Sequence, residues 1–234
     1  VPTIVLLRHA QASFGTADYD VLSALGERQV QALDAELERR ATRIDHAASG
    51  TMRRQRDTLA GLSRLPAPAV DPRLDEYSAD DILTAHTTSA LRQDKPGDAQ
   101  IAAAGDSAKD RAAASVAFQD VLDDGLRGWI AAGADGPAAE PFPMFAGRVR
   151  AALEETGRHL GSGQTALLCT SSGIISAACT TLLGLPDEAF ITFNRVTVNT
   201  GLTTIAVGRR GATLVSFNEH GHLVSGRQSL LSYR

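Results

Sequence analysis

Apolar positions along the chain fall into two patterns. Thr3–Leu7 (TIVLL) and 165–170 (TALLCT) are short unbroken runs. Runs of that length without alternation predict strands buried on both faces, as in a parallel sheet. A weaker segment, 45–50 (DHAASG), reads as a further strand, and two late strands are expected near 202–207 and 213–217. Between these, apolar residues recur at helical spacing. Val30, Leu33 and Leu37 mark a helix opened by Ser23, with Glu27 in its first turn, and running to about Arg40. Thr51 is the expected N-cap of a helix from Met52 to about Leu62. LPAPAVDP (65–72), with three prolines, reads as punctuation. Phe145, Val149 and Leu153 mark a helix to about Leu160, and SSGIISAACTTLLGL (171–185) marks another, closed by Gly184 and Pro186. Strand and helix alternate, so the class is α/β, a three-layer sandwich with a mostly parallel central sheet flanked by helices.

Residues from about 77 to 140 differ in texture, being rich in Ala, Asp and Gly. A weak helix is expected near 79–91, a better one near 108–132 and a loop over 133–143. The stretch reads as a helical insertion capping one face of a single domain spanning 1–234.

Composition narrows the function. The chain has 234 residues, 43% of them hydrophobic and 21% charged, with a net charge of −4. That is a globular balance, and it argues against nucleic acid or an anionic membrane as partner, since both are bound by net basic surfaces. No apolar run approaches the roughly 18 residues of a membrane span, and no leader is read before the first strand. Cys169 and Cys179 lack metal or redox spacing and read as buried free thiols, which suggests a reducing cytoplasm. Only Lys95 and Lys109 are lysines among 23 basic residues, a bias suggesting a bacterial coding preference.

In open α/β sheets, ligands bind beyond the carboxyl ends of the strands. The first strand delivers Arg8 and His9 there. The second delivers Ser49-Gly50-Thr51, followed by Arg53. The third delivers Thr170-Ser171-Ser172-Gly173 at a helix N-terminus. Arginine offers a fixed fork of donors suited to phosphate oxygens, and a helix N-terminus adds unpaired N–H groups. The convergence predicts an anion site, with phosphate the simplest ligand.

LLRHAQASFG, SGTMR, LDEY and CTSSGIISA, in that order, resemble the histidine phosphatase superfamily, the phosphoglycerate-mutase-like fold. The resemblance is strongest over 3–30, 45–60, 72–78 and 145–205. It implies that His9 is a nucleophile that carries the phosphoryl group, and that Arg8 and a second arginine clamp its oxygens. Arg53 is the expected second arginine, with Arg54 and Arg56 as competitors. It further implies that Glu76, in Leu74-Asp75-Glu76, is the proton donor. No cofactor or metal is implied. His220 and His222 share an extended segment, but no third ligand lies near them in sequence.

The sequence departs from the family at three positions. Ala10 replaces a glycine. Gly15 stands where an asparagine is common. Ser171 replaces the family's second histidine and is expected to bind phosphate as a neutral donor, without that residue's charge. Three functions stay open: a metal-independent phosphatase on small phosphate monoesters with low activity, a non-catalytic binder of phosphorylated ligands, or a phosphoglycerate-type mutase. No extra basic cluster suggests the last. The expected partner in each case is a small phosphorylated molecule or phosphate.

Overall fold

A computed structural model describes residues 1–13, 20–86, 108–224 and 229–233, with backbone alone for 108–117. Gly15, Arg92, Lys95 and the expected helical stretch 87–91 lie outside the described residues.

The chain divides into two compact units. The first is built on a six-stranded sheet in the order β3-β2-β4-β1-β5-β6. Its strands are β1 (Thr3–Arg8), β2 (His46–Ser49), β3 (Ala69–Val70), β4 (Thr165–Thr170), β5 (Leu202–Gly208) and β6 (Gly211–Glu219). The first four pair in parallel, β5 is antiparallel to β1, and β6 is antiparallel to β5, so the sheet is mixed and the fold α/β. β1 lies at the centre, with Arg8 opposite Thr170. Its unbroken apolar run follows from being covered on both faces.

The helices of this unit are α1 (Ala24–Arg39), α2 (Arg53–Ala60), α6 (Ser172–Leu182) and α7 (Ala189–Val196), together with most of α5 (Phe142–His159). Ser23 caps α1, its hydroxyl accepting from the Gly26 N–H at 3.0 Å. One core cluster joins Leu7, Leu167, Cys169 and Leu202 of the sheet to Val30 and Leu33 of α1 and to Leu59 and Leu62. α6 is buried almost all round, from Ser172 to Thr180, so it carries no charged face, and the Ser176 hydroxyl donates to the Ser172 carbonyl.

The second unit, around Tyr77–Phe145, contains α3 (Ala79–His86), α4 (Ala108–Ala132) and the first turn of α5. Its core is aromatic. Trp129 packs against Tyr77, Phe142 and Phe145 at ring-centroid distances of 5.1–5.6 Å, and its indole N–H donates to the Glu140 carbonyl.

Three local expectations are corrected. The cap of α2 is Met52 rather than Thr51, because the Asp75 carboxylate recruits both the Thr51 N–H and its hydroxyl. The loop expected to 143 ends sooner, since α5 begins at Phe142. The proline-rich stretch contributes β3, an edge strand where missing N–H groups are tolerated. No described helix is long and apolar enough to cross a membrane.

Candidate active site

The site lies at the carboxyl end of β1, where the backbone leaves the sheet and is tied down on every side. The His9 N–H donates to the Thr170 carbonyl at 2.8 Å. The His9 carbonyl accepts from Asn199 Nδ2 at 3.0 Å, and the Ala10 N–H donates to Thr58 Oγ1 at 2.9 Å. Ala10 is fully buried and has no positive φ, so the missing glycine costs the backbone nothing here. Thr200, whose N–H donates to the Arg8 carbonyl, does lie at φ 57°. A β-branched residue there is strained, and such strain survives only where neighbours impose it.

The His9 ring is 5% exposed. Its Nδ1 lies 2.8 Å from the Ala10 carbonyl, and its Nε2 lies 3.2 Å from Arg54 Nε. A carbonyl only accepts and a guanidinium only donates. The two contacts therefore assign the proton to Nδ1 and the lone pair to Nε2. Burial, then Arg54, then Arg8 hold the imidazole well below its ordinary range, against a smaller opposing effect of the Ala10 carbonyl. The ring is neutral at pH 7, and its basic nitrogen faces a cation.

Arg8 is buried, and its guanidinium donates to the Thr197 carbonyl. Arg53 and its neighbour Arg54 part company at the start of α2. The Arg53 side chain is half exposed and pairs with Asp57 one turn along the helix. Arg54 is the buried one. It meets His9 through Nε and Asp20 through Nη1 at 2.7 Å. The reason is the face that α2 turns inward: Arg54, Gln55, Thr58 and Leu59. Counting back in helical steps from buried Leu62 and Leu59 reaches Gln55 and Arg54, a signal present in the sequence. Asp20 also accepts from the Arg53 N–H at 2.7 Å, so one carboxylate seats both the first turn of α2 and the Arg54 side chain.

Glu76 lies at the N-terminus of α6. Its Oε2 accepts from the Gly173 N–H at 3.0 Å and from the Ser172 hydroxyl at 3.3 Å. The segment leading to it is clamped: the Leu74 carbonyl accepts from Thr170 Oγ1 and Gln55, and the Arg73 and Asp75 carbonyls both accept from Arg148 Nη1. Ser171, 1% exposed, accepts from Gln55 Nε2 at 2.9 Å. Gly50 admits this arrangement because a Cβ there would collide with Gln55 Oε1 and Asp75 Oδ1.

Of the predicted site residues, His9 and Arg8 stand together at the end of β1, and Glu76 and Ser171 meet around the start of α6. Arg53 pairs with Asp57 on the half-exposed side of α2. The sequence reading named Arg54 only as a competitor of Arg53, and it did not single out Asp20, Gln55 or Asn199. Among the described residues no cluster of His, Cys, Asp and Glu could hold a metal ion. His222 is buried against the Thr200 hydroxyl, and His220 contacts the Asn218 carbonyl.

A family model described as histidine phosphatase superfamily (branch 1) matches residues 4–123 and 119–220. No curated protein matches the chain. Among solved structures, it resembles Bacillus stearothermophilus YhfR (18% identical, TM-score 0.63, covering 95% of this chain and 99% of that one). It also resembles Entamoeba histolytica phosphoserine phosphatase in complex with 3-phosphoglyceric acid (15%, TM-score 0.61, 96% and 100%). A third likeness is to mycobacterial glucosyl-3-phosphoglycerate phosphatase (21%, TM-score 0.55, 93% and 99%). At these identities the likeness is one of fold.

Proposed function

The chain belongs to the histidine phosphatase superfamily, and from that membership we propose that it hydrolyses small phosphate monoesters through a phosphohistidine on His9, without a metal. The observation that carries the reading is the His9 tautomer. Nδ1 is fixed by a backbone carbonyl, so a neutral Nε2 lone pair is presented beside Arg54. The phosphatases named among the similar structures act on small monoesters, which agrees with this substrate class.

The chemistry follows in two displacements. Nε2 attacks phosphorus, the N–P bond forms and the ester P–O bond breaks. Glu76 gives its proton to the leaving alkoxide. Water then attacks the phosphohistidine, Glu76 takes the water proton, and His9 departs neutral with phosphate released. Arg54 transfers its donor from Nε2 to a phosphoryl oxygen as substrate enters. Arg8, Arg54 and Ser171 hold the charge on the equatorial oxygens, where fixed donors act most strongly. The Ser171 hydroxyl brings no charge, which favours slow turnover and keeps a purely phosphate-binding role as the second reading.

The test is hydrolysis of p-nitrophenyl phosphate by the wild type and His9→Ala, with and without chelator, alongside an alkaline-gel search for acid-labile phosphoprotein. Turnover that needs His9 and ignores chelator is expected. Wild-type rates in His9→Ala would overturn the mechanism. Absent turnover with phosphate still raising Tm would select the binding role.

A further inference from the structure

Ser171 is the N-cap residue of α6 and has the extended backbone of a cap, yet its hydroxyl makes no cap bond. A serine there normally accepts from the N–H groups of the first turn. Here Glu76 takes the Gly173 N–H instead, which releases the hydroxyl from that duty. Its oxygen accepts from Gln55 Nε2 at 2.9 Å.

The orientation of the Gln55 amide is not free. Nε2 also lies 3.2 Å from the Leu74 carbonyl, which can only accept. The amide nitrogen must therefore face both groups, so Ser171 is the acceptor and its own proton points elsewhere. That proton has no acceptor among the described residues. Gln55 is fully buried, and its Oε1 has no hydrogen-bond partner. A buried amide kept with one end unsatisfied is costly for folding alone, which points to a use for the other end. Ser171 follows Thr170, the residue whose carbonyl holds the His9 N–H, so the spare O–H proton belongs to the site.

We propose that Gln55 is a positioning residue that makes Ser171 a one-way donor to an oxygen of the phosphoryl group at His9. The neutral pair Gln55–Ser171 thereby supplies directed donation where a charged side chain is missing. The Leu74 carbonyl, held also by Thr170 Oγ1, fixes the amide's orientation for this task. This rests on the phosphohistidine reading.

The experiment is a double-mutant cycle with p-nitrophenyl phosphate. Ser171→Ala should lower kcat by about a hundredfold, the lower end of the range for losing one fixed donor. Gln55→Met, of similar volume, should lose a comparable factor. The double variant should be no worse than Ser171→Ala alone. Gln55→Glu adds a readout that a structural role would not move. Its protonated acid donates to Ser171 and its carboxylate does not, so kcat should recover toward acid pH, and Ser171→Ala should abolish that recovery. Multiplicative losses, or an unchanged kcat in folded Gln55→Met, would overturn the proposal. If the wild type shows no His9-dependent turnover, the phosphohistidine reading fails separately. Orthovanadate binding, read as a Tm shift across the same cycle, then decides for Gln55: non-additive weakening supports it, and independent effects or no binding overturn it.

Discussion

Replacing Arg54 and Arg53 by alanine, one at a time, separates neighbours that look interchangeable in the sequence. Arg54 is buried, donates to His9 Nε2 at 3.2 Å and holds Asp20 at 2.7 Å. A fixed cation beside developing phosphoryl charge is worth roughly 10²–10³ in kcat, or about 3–4 kcal/mol. Arg53 pairs with Asp57 at 3.3 Å, with the two side chains 51% and 40% exposed. Such a pair contributes about 0.2–0.5 kcal/mol, mostly to the helix. Arg54→Ala should therefore lose at least about a hundredfold in kcat/KM, while Arg53→Ala stays within about threefold. The pH profile adds a check. After burial, Arg54 is the largest influence lowering His9. Wild type should keep its neutral nucleophile well below pH 6.5, the ordinary histidine value. In Arg54→Ala the acid limb should shift upward toward that value. Equal losses in both variants, or an acid limb that does not move, would refute the geometry.

Two more outcomes are expected. Burial pushes His222 down to about 4 from 6.5, so the unfolded chain takes up a proton that the fold resists. The associated stability is present above pH 6.5 and lost as pH falls through about 4, by up to about 3 kcal/mol; His222→Gln should flatten Tm against pH in that window, and an unchanged slope would refute it. Ser171→His, which restores the family residue, should lower Tm and fail to raise kcat, because the larger ring must displace Gln55. Overpacking of this kind costs about 1–3 kcal/mol, and combining it with Gln55→Ala should recover Tm; a stable, faster single variant would refute this.

Much of the frame was legible because burial writes itself into composition. β1 and β4 are apolar without alternation since both lie inside the sheet, and α4 falls at the expected 108–132. His9 and Arg8 could be placed because a strand end delivers them. The helix Ala189–Val196 escaped, its eight residues being too few to establish a period over two aromatics and three β-branched residues. Arg54 stood only as a competitor because the helix face was counted through Arg53 and Arg56 rather than back from the buried Leu59 and Leu62. Asp20, Gln55 and Asn199 are polar residues whose partners lie 34, 116 and 190 positions away in sequence. Such pairings leave no periodic trace along a single chain.

The central position of β1 also sets a timetable for synthesis. Thr3–Arg8 leaves the ribosome early, yet its neighbours on either side are Thr165–Thr170 and Leu202–Gly208. At about 5–20 residues per second, an apolar strand waits roughly 8–30 s for its first partner. During that interval it is a sticky, unpaired edge, and His9 has neither the Thr170 carbonyl nor Asn199 to hold it. A nascent chain therefore carries its nucleophile long before it can use it, and the early strand is the segment a chaperone would need to shield.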